Sequence, residues 1–98
     1  MLKNREQIIG IIRQIRPELE SDFAVERLGL FGSYQRGEAQ PTSDIDLLVS
    51  FRREIDLFDF LDLKTFLQDN LQHKVDLVMD SALKPAIGKQ IRSEVEYL

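Results

Sequence analysis

The chain of 98 residues contains no cysteine and no tryptophan, three prolines and a single histidine. Without thiols it can form neither a disulfide nor a thiolate zinc site, so any metal must be held by oxygen ligands or by His73. The longest apolar runs are far shorter than the roughly 20 residues that a membrane span needs. The N-terminus also lacks the hydrophobic core of a signal peptide. We therefore expect a cytoplasmic protein with no membrane partner.

Positive charge is also scarce and scattered. Thirteen Lys and Arg stand against seventeen Asp and Glu, which gives a net charge of -4. Phosphate contacts supply most of the nonspecific affinity for nucleic acids, so this balance argues against DNA or long RNA as the main ligand. With 43% hydrophobic and 31% charged residues the chain has the composition of a folded globular protein. Its length predicts one domain, residues 1–98, with a single modest core.

Hydrophobic periodicity predicts an alternation of helices and strands. The predicted elements are a helix over residues 4–16 that ends before Pro17, strands over 26–31 and 44–51, a helix over 56–71, a strand over 74–80, a helix over 85–93, and a short extended segment at "EVEYL". Strands one and two are expected to pair antiparallel, and strands two and three to form a right-handed parallel crossover. This predicts a two-layer α+β fold, a small mixed sheet of three to four strands packed with helices, with strand two central.

Three aspartates are expected to meet on one face of this sheet. Side chains of a strand alternate, so Asp44 and Asp46 share a face. If strand three lies parallel beside strand two, Asp76 projects from the same side. Three like charges this close repel strongly, and a divalent cation removes the repulsion. All-oxygen ligation suits Mg²⁺ or Mn²⁺, which take further ligands from substrate phosphates.

The dipeptide Gly32-Ser33 ends strand one and is expected beside these carboxylates, because antiparallel pairing brings it next to Asp44. Glycine lets a ligand approach the backbone closely. If residues 33–37 form a short helical turn, its free N–H groups and the Ser33 hydroxyl offer donors to an anion, and Arg36 can reach the same anion. A phosphate cradle beside metal-binding carboxylates predicts a nucleoside triphosphate ligand.

Two neighbouring residues are less informative. His73 precedes a strand and is expected at the surface. Tyr34 follows Ser33, and it either packs in the core or lines the nucleotide pocket.

The combination Gly-Ser-x10-Asp-x-Asp is expected by chance in about one in a thousand chains of this length. The stretch "GLFGSYQRGEAQPTSDIDLLV" with the later "VDLV" resembles the minimal nucleotidyltransferases (MNT) of the DNA polymerase beta superfamily, including the MNT antitoxins of HEPN/MNT toxin–antitoxin pairs. The resemblance covers essentially the whole chain. It implies a polymerase beta palm-like nucleotidyltransferase fold.

The resemblance also implies roles for the residues of these motifs. Gly32 and Ser33 would bind the triphosphate of ATP, with Arg36 as a further phosphate contact. The three aspartates would be catalytic and would hold two Mg²⁺ ions, with Asp76 as third ligand and proton acceptor.

The implied reaction is transfer of AMP from ATP to a tyrosine hydroxyl of a HEPN-type toxin, which would make the chain an antitoxin. Two alternatives stay open: a non-catalytic antitoxin that masks its partner, and a small-molecule nucleotidyltransferase of the aminoglycoside-modifying kind. No segment remains for an acceptor-binding domain, so the acceptor is small or is held by another protein or subunit. The identity of the acceptor, the base preference, the number of nucleotides transferred and the oligomeric state, including a homo-oligomer, are left open by the sequence.

Overall fold

A computed structural model of the protein describes residues 4–98. The elements in chain order are α1 Arg5–Phe23, β1 Val25–Phe31, α2 Gly32–Arg36, β2 Ile45–Phe51, α3 Leu57–Leu71, β3 Val75–Met79, a 3-10 turn Asp80–Ala82, α4 Pro85–Glu94 and β4 Glu96–Tyr97. The predicted order of elements is confirmed, and "EVEYL" supplies the fourth strand. Among the residues described, no helix is both long enough and apolar enough to cross a membrane.

The four strands form one mixed sheet in the order β3-β2-β1-β4. β1 pairs antiparallel with both β2 and β4, and β2 pairs parallel with β3, which confirms the predicted topology and the central place of β2. The register aligns Phe31, Asp46 and Asp76 in one row across the three longer strands. In the next row Leu30, Leu47 and Leu77 lie side by side, so neighbouring rows present opposite faces of the sheet.

The face of the sheet that carries Leu47 is covered by α1 and α3, and we call it the core face. The core consists mainly of the buried residues Ile8, Ile12, Ile15 and Leu19 of α1, Leu28 and Leu30 of β1, Ile45, Leu47 and Val49 of β2, Leu63, Leu67 and Leu71 of α3, and Val75 and Leu77 of β3. Each buried leucine or isoleucine contributes about 1.5–3 kcal/mol relative to an exposed one. Both helices begin at side-chain caps: Asn4 with Gln7 forms a capping box on α1, and Asp56 accepts from the Asp59 N–H at 2.8 Å on α3.

Helix α1 is longer than predicted. The expected end before Pro17 is wrong, because the helix continues through the proline to Phe23. Pro17 forfeits one backbone hydrogen bond, but Leu19 is 1% exposed and extends the apolar stripe of α1 by one more turn into the core. The helix ends where Ala24 adopts a left-handed conformation (φ 55°) and its N–H bonds to the Leu19 carbonyl.

Candidate functional site

The turn between β1 and α2 lies directly against the carboxylate of Asp46. Gly32 starts α2 with φ at 77°, a conformation that glycine adopts without strain. A Cβ atom built on Gly32 would lie 2.0 Å from Oδ2 of Asp46 and 2.8 Å from its Cγ. No side chain fits between the turn and the carboxylate. The two halves of the Gly-Ser and Asp-x-Asp motif, which lie far apart in the chain, are therefore in contact.

Asp46 and Asp76 lie side by side on adjacent parallel strands, where their Cα atoms are register partners. They project from the face opposite to the core face, which we call the second face. Asp44 is the residue before β2, and its charge acts on Asp46. Asp46 is partly buried and Asp76 is exposed. The fold thus brings the three aspartates into one region, as the alternation of the strands predicts.

Asp46 is the electrostatic focus of this region. Its pKa is raised to about 6, first by burial and then by the negative charges of Asp76 and Asp44 and a side-chain hydrogen bond to Asp76. The positive charge of Arg36 acts in the opposite direction. The ionised form of Asp46 is therefore destabilised by its surroundings near neutral pH, and a cation bound here would relieve that repulsion.

The three aspartates are not a preformed metal cage. In the part of the chain that the structure describes, no three acidic, histidine or cysteine side chains already converge on a single point. The donor set still fits a hard divalent cation, because it is all oxygen and its central member is held in an unfavourable electrostatic environment. Asp76 is exposed, so rotation about its side-chain bonds can bring it towards a cation between the strands.

Arg36 lies beside the turn and binds two carboxylates. Its Nε donates to Glu38 at 3.2 Å, and its Nη1 lies 3.3 Å from both carboxylate oxygens of Glu94. The hydrogen bond to Glu38, together with the charges of both glutamates, raises the pKa of Arg36, so the guanidinium stays charged. Arg36 thus lies close to Gly32, where the sequence predicts an anion contact.

Glu94 is a member of this site that the sequence does not reveal. The N–H of Gly32 donates to Oε1 of Glu94 at 3.1 Å. Glu94 is the last residue of α4, 62 positions from Gly32 in the chain. No local pattern in "SEVEYL" marks it, and only the packing of α4 beside α2 brings it to the turn.

Ser33 and the short α2 helix shape the entrance of the site. The Ser33 carbonyl accepts from the Glu38 N–H at 2.8 Å. Gly37 then ends the helix in a left-handed conformation with φ at 75°. These contacts turn the chain away from the site immediately after Arg36 and leave the Ser33 side chain partly exposed beside Gly32.

His73 is more than the surface residue that the sequence predicts. It is half-buried, and its Nε2 lies 2.6 Å from the carbonyl oxygen of Ser43 and 3.3 Å from the hydroxyl of Tyr34. A carbonyl only accepts, so Nε2 carries the proton and donates to Ser43. His73 therefore anchors the residue that precedes Asp44. Tyr34 is 2% exposed and packs in the core.

Two grooves lie along β2. The larger, about 500 Å³, is lined by residues 50–55 and 79–81 and lies away from the carboxylates. The smaller, about 270 Å³, lies along the second face and is lined by Leu48 and Ser50 of β2, Arg27, Tyr97 and Asp80 among others. The lining of neither groove includes Gly32 or one of the three aspartates of the candidate site.

Comparison with known proteins agrees with this geometry. Residues 12–98 match the family model of the nucleotidyltransferase domain. Protein adenylyltransferase MntA of Thermococcus cleftensis is 43% identical over 93 residues, which cover 95% of this chain and 94% of that protein. A solved structure that is provisionally described as a minimal nucleotidyltransferase has a TM-score of 0.85 and 32% identity, covering 98% of this chain and 97% of that chain.

A crystal structure of a toxin–antitoxin with AMP-PNP has a TM-score of 0.69 and 26% identity, covering 97% of this chain and 72% of that chain. The expected α+β nucleotidyltransferase fold is thereby confirmed. Since the family model spans most of the chain and MntA matches it almost from end to end, the chain belongs to the nucleotidyltransferase domain family, as a minimal, MntA-like member.

Proposed function

We propose that the protein transfers AMP from ATP to a tyrosine hydroxyl of a partner protein, a HEPN-type toxin, and thereby acts as its antitoxin. The observation that carries the proposal is the contact between the Gly32 turn and the Asp46 carboxylate, with Asp76 beside it on the next strand. This contact joins a candidate phosphate-binding turn to a candidate metal-binding set. We expect this reaction in the cytoplasm, where ATP is available.

The triphosphate would be bound by the β1–α2 turn. The N–H of Gly32 donates to a carboxylate, which supports its assignment as a donor to an anion, and Arg36 offers donors to the same oxygens. The Ser33 hydroxyl, partly exposed beside them, is a third donor. The AMP-PNP that is named with the toxin–antitoxin relative supports ATP as the nucleotide.

The carboxylates would bind Mg²⁺ and accept the proton of the attacking hydroxyl. Asp44, Asp46 and Asp76 are the oxygen ligands that we assign to two Mg²⁺ ions. When bound, such ions activate the attacking hydroxyl and stabilise the leaving pyrophosphate. Asp76 is exposed at the edge strand, so we assign it the proton of that hydroxyl. The hydroxyl oxygen bonds to the α-phosphorus, the bond from that phosphorus to the bridging oxygen breaks, and pyrophosphate leaves.

The acceptor would come from another protein. The chain has the length of MntA, a protein adenylyltransferase, and a toxin–antitoxin complex is among its structural relatives. Asp76 is exposed on the second face, so a side chain that enters from outside can reach the carboxylates. The sequence resemblance indicates a HEPN-type toxin as the owner of that side chain.

An antitoxin that only masks its partner needs no such cluster of carboxylates. The raised pKa of Asp46 indicates that the ionised cluster lowers the stability of the metal-free fold. A surface that only masks a partner would have no use for such a destabilising cluster.

The test is to incubate the protein with a purified HEPN-type partner, ATP and Mg²⁺ and to measure the intact mass of the partner. We expect a gain of whole AMP units and loss of toxic ribonuclease activity. The double variant Asp44→Asn, Asp46→Asn should bind the partner and leave its mass unchanged. Neutralisation of the toxin by both proteins with no mass gain would replace the enzymatic account with the masking one.

A further inference from the structure

Glu94 binds the donors that the proposed function reserves for phosphate. Its Oε1 accepts from the Gly32 N–H at 3.1 Å, and both of its carboxylate oxygens lie 3.3 Å from Nη1 of Arg36. The side chain is only 26% exposed, so these donors shield it from water. A carboxylate and a phosphate present the same kind of acceptor to an N–H and a guanidinium.

Helix α4 itself gains nothing from a glutamate at this position. Glu94 is the C-terminal residue of α4, where the partial negative charge of the helix end disfavours an acidic side chain. The nearby basic residue Arg92 pairs with Asp80 at 2.9 Å rather than with Glu94. The partners of Glu94 that the structure records, Gly32 and Arg36, all lie in α2. The contacts of Glu94 therefore stabilise the Gly32 turn and do not stabilise α4.

We propose that Glu94 is a built-in competitor of the nucleotide: it closes the phosphate-binding turn in the empty protein and is displaced when the triphosphate binds. This inference rests on the proposed function, which places the triphosphate at Gly32 and Arg36. A single N–H cannot serve two anions well, and a second anion beside Glu94 would also repel it. Nucleotide binding must then break the Glu94 contacts first, so the observed affinity is lower than the turn alone would give.

The test compares the wild type with Glu94→Gln and with the matched control Glu38→Gln. Both substitutions remove one negative charge and one ion pair of Arg36, but the Glu38 carboxylate contacts Arg36 and not the Gly32 N–H. Binding of AMP-PNP with Mg²⁺ is measured by titration calorimetry. We expect Glu94→Gln to tighten binding by about three- to tenfold, because it removes a partly exposed ion pair and replaces a charge-assisted backbone hydrogen bond by a weaker neutral one. Glu38→Gln should tighten it clearly less.

A second readout tests the Glu94 contact without any nucleotide. In ¹⁵N–¹H spectra, the Gly32 amide signal of the nucleotide-free protein should shift in Glu94→Gln and stay in place in Glu38→Gln. The same spectra show that each variant is folded.

Each other outcome is decisive. Weaker or unchanged binding by Glu94→Gln overturns the inference, because Glu94 would then hold Arg36 in place for the nucleotide. Equal gains in both variants overturn it in favour of a general charge effect. If neither the wild type nor any variant binds AMP-PNP, the proposed function itself fails; if only Glu94→Gln binds, the competitor is confirmed in its strongest form.

Discussion

The two faces of strand β2 obey opposite rules. On the core face, Ile45, Leu47 and Val49 are each 0% exposed and pack between α1 and α3. On the second face Asp46, which lies between Ile45 and Leu47 in the chain, has a pKa of about 6 because burial and its neighbours disfavour its charge. The core face of β2 thus stabilises the fold, whereas the ionised carboxylate of Asp46 on the second face destabilises it.

This difference separates what the fold needs from what the function needs. Apolar side chains of the right size satisfy the core face. Nothing in the folding of the chain requires three aspartates beside a glycine that leaves no room for a Cβ. Groups that destabilise a fold and lie near one another are candidates for function. Here they coincide with the Gly-Ser and Asp-x-Asp motif by which the sequence resembles the minimal nucleotidyltransferases.

The largest effect is expected from neutralising the second face. Asp46→Asn should lower the rate of AMP transfer by about a thousandfold, equivalent to about 4 kcal/mol in the activation barrier, since it removes the central carboxylate of the proposed site. Asp56→Asn is the matched control: it removes one carboxylate from the N-cap of α3, and asparagine caps a helix equally well. Single-turnover experiments with labelled ATP, in which the transfer of labelled AMP to the partner protein is followed, measure these rates. Equal activity of both variants would contradict the assignment of Asp46.

The core face should respond in stability instead. Leu47→Ala removes a side chain that is 0% exposed and should lower the free energy of unfolding by about 2–5 kcal/mol. Urea unfolding followed by circular dichroism measures the loss. Below the unfolding transition the remaining folded protein should bind AMP-PNP with wild-type affinity, and a matching loss of affinity would break the division between the faces.

Two glycines with the same backbone conformation sharpen the comparison further. Gly32→Ala and Gly37→Ala both force alanine into a left-handed conformation, at a cost of about 1–2 kcal/mol each. Only Gly32→Ala also drives a Cβ into the Asp46 carboxylate, whereas nothing lies within 4 Å of the Cβ position at Gly37. We therefore expect a larger loss of stability for Gly32→Ala, measured by urea unfolding. In an Asp46→Ala background most of the extra cost should disappear, because only the Cβ of residue 46, at 3.1 Å, remains in the way. Persistence of the full extra cost there would refute the contact.

The smallest effect concerns pH. The folded-state pKa of Asp46, about 6, lies above the ordinary aspartate value of 3.8, so the folded protein loses stability as the pH rises between these values. At pH 7.5 without metal, Asp46→Asn should be more stable than the wild type by about 1–2 kcal/mol, a figure reduced for the partial exposure of the side chain. The gain should disappear below pH 4. Thermal unfolding in EDTA at pH 7.5 and below pH 4 measures the stability difference between the variant and the wild type. A variant less stable than the wild type at pH 7.5 would contradict the claim that ionised Asp46 destabilises the fold.

The sequence predicts most of this architecture for reasons that are local. The alternation around Asp46 and Asp76 is a property of strands, and the parallel crossover follows from the helix between them, so the meeting of the aspartates could be predicted. The predicted end of α1 before Pro17 was wrong, because the lost backbone hydrogen bond at a proline can be read from the sequence. The burial of Leu19, which outweighs that loss, depends on tertiary packing. The contacts of Glu94 and His73 could not be predicted for the same reason, since each residue binds partners at least 30 positions away in the chain.

The most direct test of the central claim, that the Gly32 turn and the three aspartates form one nucleotide and metal site, is paramagnetic NMR. Addition of Mn²⁺ with AMP-PNP to ¹⁵N-labelled protein should broaden the amide signals of Gly32, Asp46 and Asp76 first. The signal of Phe58, on the exposed side of α3, should persist. Broadening that is centred elsewhere, or that reaches the aspartates without reaching Gly32, would contradict the account.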